Sequence, residues 1–256
     1  MEWTSDGIVL SVRKHGETSA IIDVLTPDHG RHLGLVRGGV GRRMRPVLQP
    51  GNVINVTWRA RLSEHLGYMT AELSEARFAE IMDDRKALTA LNAICAVTTA
   101  IMPERETHKD VYDATAVLIS HLHNPDIWPA LYVRWEAGLL SAMGYGLDLS
   151  VCAASGVTEN LTHVSPRSGR AVCYAEAEPY LDKMFVLPQF LRSGQGATAS
   201  DIAAGLHLTG EFLRTRIFWP ASTLVLASTF QMESSTLTLP KPLVMGDSRV
   251  KMRSIY

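Results

Sequence analysis

The sequence predicts an α+β protein of several domains, and three changes along the chain support this. Residues 6–75 hold short runs rich in β-branched residues between turn clusters, which is typical of β-strands. Helical periodicity then begins, and an irregular segment over residues 147–195 interrupts it. A chain of 256 residues is long enough for two or more such units.

The first unit, residues 1–78, is predicted to be a small β-barrel. Turn clusters such as KHGE, TPDHG and LQPG separate its strands. Five strands within about 70 residues, with no helical pattern between them, favour a five-stranded Greek-key barrel. The predicted strands are GIVLSV, SAIIDVL, RHLGLVR, NVINVTWR and LGYMTAEL.

The second unit, residues 79–147, is predicted to be a helical bundle. The segments DRKALTALNAICAVTTAI, KDVYDATAVLISHLHN and PDIWPALYVRWEAGLLSAMG repeat apolar residues at helical spacing. The acidic pair Asp83–Asp84 stands where the N-terminal cap of the first helix is expected. The apolar stripe of the last helix consists of Leu131, Trp135 and Leu139.

The rest of the chain divides into three segments. Residues 148–195 form an irregular lobe rich in glycine, serine and proline. SDIAAGLHLTGEFLRTRIF then predicts a helix with Ser200 or Asp201 as its N-cap, and we assign residues 196–220 to a helix that returns to the helical domain. Residues 221–256, rich in serine, threonine and proline, form a tail without an assigned fold.

Composition limits the possible partners. The formal net charge is −1, so any nucleic-acid signal must lie in the distribution of charge. Three cysteines in a chain that begins MEWTSDG, without a basic start or an apolar run, indicate a reducing compartment and no disulfide framework. The longest apolar run is about half the length that a membrane span needs. We therefore expect a cytoplasmic protein that does not enter the membrane.

A basic window stands out against this neutral background. No acid lies between Asp28 and Glu64, whereas an average surface interleaves both signs. Arginine binds phosphate oxygens in pairs and stacks on bases, so the window favours a nucleic-acid surface, to which Trp58 adds a possible stacking face. The alternatives are a solvated arginine-rich loop and a core position for Trp58. The candidate residues are Arg31, Arg37, Arg42, Arg43, Arg45, Arg59 and Arg61, with Arg13 and Lys14 extending the patch.

The same window does not match a nucleotide-binding loop. Gly39-Val40-Gly41 is followed by Arg42, Arg43 and Met44, so the third glycine of a dinucleotide fingerprint is missing. A phosphate-binding loop of the Gly-Lys-Ser/Thr type needs a lysine, and the window contains none. The glycines therefore indicate a flexible turn that approaches a phosphate chain closely.

The irregular lobe carries the spacing of a zinc ribbon without its ligands. The positions of the four-cysteine frame hold Cys152, Ser155, Cys173 and Glu176. Serine is a poor zinc ligand, and two thiolates alone do not complete a tetrahedral site. We favour a lobe held by ordinary packing, without a metal or another cofactor.

No constellation of residues indicates catalysis. The sequence lacks H-E-x-x-H and G-x-S-x-G, and no nucleophile is paired with a base at a meaningful spacing. We therefore predict a protein that is not an enzyme.

Arg134, next to Trp135, is compatible with two roles: holding the carboxylate end of a peptide beside an apolar groove, or serving as an ordinary surface arginine.

Several segments together resemble the RecO family of bacterial recombination-mediator proteins, in its proteobacterial branch. The match spans roughly residues 5–195, and the segments that carry it are GIVLSVRKHGETSAIIDVLTPDHGRHLGLVRGG, LQPGNVINVTW, HLGYMTAEL, YVRWEAGLLSAMGYGLDLSVCAASG and VSPRSGRAVC. Two features depart from the family pattern. The four-cysteine set is reduced to Cys152 and Cys173, and the chain after FLRTRIFWP lacks the family's closing helical run.

The resemblance implies a fold, a function and partners. Family members have an N-terminal OB barrel, a helical middle and a zinc-finger-like lobe, and they are not enzymes. They bind single- and double-stranded DNA, anneal complementary strands, work with the partner RecR and help to load recombinase onto DNA coated with single-strand binding protein, SSB. The family's basic barrel surface corresponds to Arg31, Arg37, Arg42, Arg43 and Arg45, and its face for the acidic SSB tail corresponds to Arg134. An adaptor that docks a partner peptide on the helical domain is the alternative function.

Overall fold

The structure is a computed structural model that describes residues 1–194 and 196–218, and it is a mixed α+β fold. Its first five strands are consecutive in the chain and close into a barrel in the order β1-β2-β3-β5-β4. Neighbouring strands are antiparallel except β3 and β5, which run parallel and meet only at Leu35 and Tyr68. The strands are β1 Glu2–His15, β2 Ser19–Thr26, β3 Gly30–Val36, β4 Val53–Arg59 and β5 Tyr68–Glu75.

Alternation along the strands fills the barrel with apolar side chains. Ile22, Val24, Ile54 and Val56 are fully buried there because every second residue of a strand points to the same face. Trp58 belongs to this core: it is 2% exposed, and its Nε1 donates to the carbonyl of Leu66 at 3.0 Å. The suggestion that Trp58 offers a stacking face is therefore wrong.

Four helices follow the barrel. They are α1 Arg77–Ile81, α2 Arg85–Ile101, α3 Lys109–Ser120 and α4 Trp128–Ala142. Asp84 caps α2 as expected, since its carboxylate accepts from the backbone N–H groups of Lys86 at 2.8 Å and Ala87 at 3.1 Å. Trp135 faces the bundle core, where its Nε1 donates to the Thr115 hydroxyl at 2.9 Å.

The irregular lobe contains a small sheet and leads into the last long helix. Strands β6 Leu161–Val164, β7 Ala171–Cys173 and β8 Phe185–Val186 pair in the order β7-β6-β8. The short helix α5 Tyr174–Ala177 follows β7, and α6 Ala199–Phe212 packs on α4 before a π-helical turn, Leu213–Phe218. The tail at 221–256 lies outside the described residues.

The N-cap of α6 corrects the sequence-based assignment to Ser200 or Asp201. The cap is Thr198, whose hydroxyl accepts from the Asp201 backbone N–H at 3.2 Å. The Asp201 carboxylate reaches back to the Thr198 backbone N–H at 2.9 Å. This capping box satisfies two N–H groups that the helix itself leaves free, and it moves the start of the helix to Ala199.

The barrel packs directly against α2. Ile8, Leu10 and Leu25 join the same buried cluster as the apolar face of that helix. Gly30 allows the segment between α2 and α3 to lie against β3, because a Cβ at this position, where φ is +63°, would lie 2.0 Å from the Glu106 carbonyl oxygen. Within the described residues, no helix has the length and apolar character required to span a membrane.

Candidate nucleic-acid interface

The glycine–arginine loop, residues 37–51, connects β3 to β4 at one end of the barrel. Gly38, with φ of +70°, turns the chain away from β3. The loop then lies against the β1–β2 hairpin, because the Val40 N–H donates to the Thr18 carbonyl at 3.2 Å. Gly39 allows this approach, since a Cβ there would be 2.7 Å from the Ala20 methyl group. The fold thus brings the loop beside the hairpin that carries Arg13 and Lys14.

The arginines of this loop are free of acids. All four are exposed, and none forms an ion pair with an acid of residues 1–194 or 196–218. Arg13, Lys14 and Arg61 are likewise exposed and unpaired within that part of the chain. Unpaired guanidinium groups keep their donors available for phosphate oxygens. The four loop arginines are Arg37, Arg42, Arg43 and Arg45.

Arg37 and Arg59 stand on either side of Tyr68. The guanidinium carbon of Arg37 lies 4.4 Å from the centre of the Tyr68 ring, which is a cation–π geometry. Arg59 is the β4 residue directly opposite Tyr68, and its Nη2 also binds the Glu2 carboxylate at 2.7 Å. Unlike the loop arginines, Arg59 therefore has an acidic partner, Glu2.

Acids reappear further along the outer face of the barrel and limit the basic region. Asn55 lies opposite Asp6 on one side and Glu72 on the other, and its side chain donates to the Asp6 carboxylate at 3.0 Å. Among the described residues of the barrel, the arginines and lysines without an acidic partner are thus those of the glycine–arginine loop, the β1–β2 hairpin and Arg61. A local field of this kind attracts an anionic chain even though the net charge is −1.

Arg31 is placed differently from the sequence-based expectation. Its side chain is only 12% exposed, and its guanidinium is held by the Asp23 carboxylate at 3.1 Å and the Thr99 carbonyl at 3.0 Å. A third contact joins it to Glu104 at 3.3 Å. Because the C-terminal end of α2 and the segment after it contact this end of β3, Arg31 connects the barrel to the helical part and is not available to a phosphate chain. We correct the candidate set by removing it.

Asp23, the acidic partner of Arg31, is a buried carboxyl group that needs a compensating charge. Burial of Asp23 opposes its ionisation and raises its pKa to about 6, although the Arg31 charge acts in the opposite direction. The Oδ1 atom of Asp23 has no hydrogen-bond partner among the described residues. Asp23 therefore relies on Arg31 as its main compensating charge.

The lobe brings Cys152 and Cys173 together, but its residues do not fit a zinc site. The Cys173 N–H donates to the Cys152 sulfur at 3.3 Å. Burial opposes the Cys152 thiolate, but hydrogen bonds from Ser155 and nearby backbone N–H groups outweigh it and lower its pKa to about 6. The Ser155 hydroxyl contacts the Cys173 sulfur at 3.6 Å, and Glu176 is exposed. In residues 1–194 and 196–218, no group of three or more His, Cys, Asp or Glu side chains is arranged to hold a metal ion.

Arg134 lies on α4 at the edge of the lobe. Its Nη2 donates to the carbonyls of Phe190 at 2.8 Å and Ser193 at 3.1 Å, while the residue remains exposed. The guanidinium carbon lies 5.8 Å from the centre of the Phe190 ring. Arg134 is thus a cation held in a fixed position beside an aromatic side chain.

These features define a mixed α+β protein whose N-terminal barrel presents an exposed, acid-free basic loop. Two family models match the chain: Recombination protein O N terminal over residues 1–77 and Recombination protein O C terminal over residues 82–224. Together they cover most of the sequence, and the chain belongs to the RecO family.

Individual relatives agree with the family models. The DNA repair protein RecO of Rhodospirillum centenum is 49% identical over 220 residues, covering 85% of this chain and 88% of the relative. That of Hyphomonas neptunium is 49% identical over 221 residues, covering 85% and 91%. That of Methylobacterium nodulans is 47% identical over 226 residues, covering 86% and 92%.

Two residues of interest were missed by reasoning from the sequence. Tyr68 is exposed beside the basic loop, and alternation with the inward-facing Met69 was a usable signal for its outward direction. Glu136 is buried between α4 and α6, where the Thr209 hydroxyl donates to it. A single acid in an amphipathic helix gives no sequence signal of such burial.

Proposed function

We propose that the protein is a mediator of DNA repair and homologous recombination. It binds single- and double-stranded DNA, anneals complementary strands and helps to load recombinase onto DNA coated with SSB. It acts on the nucleoid in the cytoplasm, without catalysis and without a metal cofactor. Membership of the RecO family and the names of the relatives support this function.

The observation that carries the proposal is the set of unpaired arginines in the glycine–arginine loop. Their phosphate contacts would be independent of sequence, which suits a protein that must act on any exposed strand. We further propose that the barrel is of the OB type and that the domains are 1–78, 79–147, 148–195 and 196–220. The closed barrel and the gap between the two family models support the first of these boundaries, and the change from helices to the small sheet supports the second.

Charge reversal at three loop residues tests the DNA surface. We expect the Arg42→Glu, Arg43→Glu, Arg45→Glu variant to bind single-stranded DNA at least about ten-fold more weakly at low salt, because phosphate contacts and long-range attraction are both lost. The plot of log affinity against log salt should become shallower by about two units if three phosphate contacts disappear. Fluorescence anisotropy at several salt concentrations measures both quantities.

The matched control changes the net charge by the same amount elsewhere. Arg85, Lys86 and Lys183 are exposed and form no ion pair within the described residues, so Arg85→Glu, Lys86→Glu, Lys183→Glu should leave affinity within about two-fold. In a strand-annealing assay on SSB-coated DNA, the loop triple variant should likewise be impaired and the control triple variant should not. Equal losses in both triple variants would show that net charge, not the loop, governs binding.

The helical domain and lobe supply the protein contacts in this proposal. Arg134, fixed beside Phe190, would receive the acidic C-terminal tail of SSB, and a RecR-type partner would join the complex. An alternative function is that of an adaptor that docks a peptide at Arg134 and makes no specific DNA contact. The adaptor function predicts peptide binding with no measurable affinity for DNA.

A further inference from the structure

A pocket of about 390 Å³ opens at the seam between β3 and β5. These two strands share a single bridged pair, after which β3 turns into the glycine–arginine loop and β5 continues along β4. The seam is therefore only partly closed by backbone hydrogen bonds. Met44 from the loop and Ala71 from β5 supply apolar surface to the pocket, while Met69 beside them is buried in the barrel core.

The polar lining of the pocket contains cations and hydroxyl groups but no acid. Arg37 and Arg59 line it together with Tyr68, whose side chain is 50% exposed. Thr57 and Thr70 face each other across β4 and β5 and add two hydroxyl groups. An aromatic ring, a guanidinium and the Met44 side chain together suit a flat, polarizable ring that carries hydrogen-bonding edges.

The size of the pocket and the charge beside it limit the kinds of ligand that can bind there. Its volume lies within the range of about 300–1,000 Å³ that is usual for small organic ligands. The unpaired arginines of the adjoining loop indicate that the ring is attached to a chain of phosphates. A nucleobase in a single strand meets both conditions, whereas a base in a duplex has both faces covered by its neighbours.

We propose that this pocket takes one unpaired base of single-stranded DNA, stacked against Tyr68 and Arg37, while the loop arginines hold the neighbouring phosphates. The proposal rests on the proposed function, because it assumes that DNA lies on the loop. It adds a reason for preferring single strands over duplex, since stacking on aromatic side chains is available only to an exposed base. It also assigns a DNA contact to Tyr68, which lies outside the acid-free window.

The experiment compares two oligonucleotides that differ only in their bases. One is oligo(dT), and the other is an abasic strand of equal length, so both carry the same phosphate charges. The wild-type protein should bind oligo(dT) about ten-fold more tightly than the abasic strand, as expected for one stacked base. Tyr68→Ala should abolish this difference, and Tyr68→Phe should preserve it because the ring remains.

Further measurements separate this pocket from the rest of the surface. Tyr68→Ala should leave duplex affinity and the salt dependence of binding unchanged, because no phosphate contact is removed. Tyr68→Leu fills similar space without a ring and should behave like Tyr68→Ala, which guards against a simple folding defect. Thermal unfolding of each variant checks that the barrel is intact.

The possible outcomes fall into distinct groups. If wild type and Tyr68→Ala discriminate equally between the two strands, or if Tyr68→Ala loses single-strand and duplex affinity alike, the base pocket is overturned. The proposed function stands in that case provided that the loop triple variant still loses DNA affinity. If the loop triple variant binds DNA normally, the proposed function itself fails, whatever Tyr68→Ala does.

Discussion

At the scale of single residues, the arginines of one basic window have different environments. Arg42, Arg43 and Arg45 are exposed and without acidic partners in the described part of the chain, whereas Arg31 is buried against Asp23 and the end of α2. The difference arises from what covers each position, not from the residue type. Charge alone therefore does not decide which arginine can reach a phosphate chain.

The substitution Arg31→Ala should reduce stability and leave DNA affinity unchanged. It removes the compensating charge of Asp23, and breaking a buried ion pair on one side costs about 3–5 kcal/mol. Urea denaturation measures the free energy of unfolding, and anisotropy measures DNA binding under conditions where the variant is folded. Arg42→Ala should behave in the opposite way, with a change in stability of less than about 0.5 kcal/mol.

The double variant Asp23→Asn, Arg31→Ala provides the control. It removes the orphaned carboxyl charge and should recover a substantial part of the lost stability. A folded Arg31→Ala variant that lost DNA affinity as strongly as the loop triple variant would restore Arg31 to the DNA surface.

At the scale of secondary-structure elements, the strands and long helices were largely predictable. Runs of β-branched residues between turn clusters located all five barrel strands, and the α2 cap at Asp84 was evident from its position. The pattern could not show that the end of α2 and the segment after it contact Arg31, because Arg31 alternates outward like any solvent-facing residue. The cap at Thr198 was missed because a capping box depends on reciprocal side-chain geometry, and nearby Ser200 is an equally good residue type.

The contact between α4 and α6 contains a pH-dependent element. Burial raises the pKa of Glu136 from 4.5 to about 7, while hydrogen bonds from Thr209 and Tyr132 act against this shift. The folded state therefore holds a proton on Glu136 in a pH range where the unfolded chain has released it. This group makes the protein less stable as the pH rises from about 4.5 through about 7.

The variant Glu136→Gln should lack this pH-dependent loss. Relative to wild type, it should gain about 3 kcal/mol of stability between pH 5 and pH 8, because glutamine keeps an acceptor for Thr209 and never ionises. Urea denaturation of both proteins at the two pH values gives the difference, which cancels contributions from other titrating groups. A wild-type-minus-variant difference that stays constant with pH would contradict the shifted pKa.

At the scale of the whole molecule, the two candidate binding sites lie on different units. The glycine–arginine loop packs on the β1–β2 hairpin of the barrel, and Arg134 is held by carbonyls at the end of the lobe. The passage from the barrel strands to the helices could be predicted from the change in periodicity, whereas the hydrogen bond from Arg134 to the Phe190 carbonyl joins residues 56 apart in the chain. Contacts of that separation carry no local sequence signal.

Because the sites are separate, single-stranded DNA and an acidic, hydrophobic-ended peptide should bind at the same time. A labelled peptide should keep its affinity within about two-fold when DNA saturates the barrel, since screening weakens interactions over more than about 10 Å. Arg134→Ala should weaken the peptide alone, and Arg134→Lys should restore part of the binding by returning the charge. Displacement of the peptide by DNA would place both ligands on the basic loop, and peptide binding without any DNA binding would favour the adaptor function.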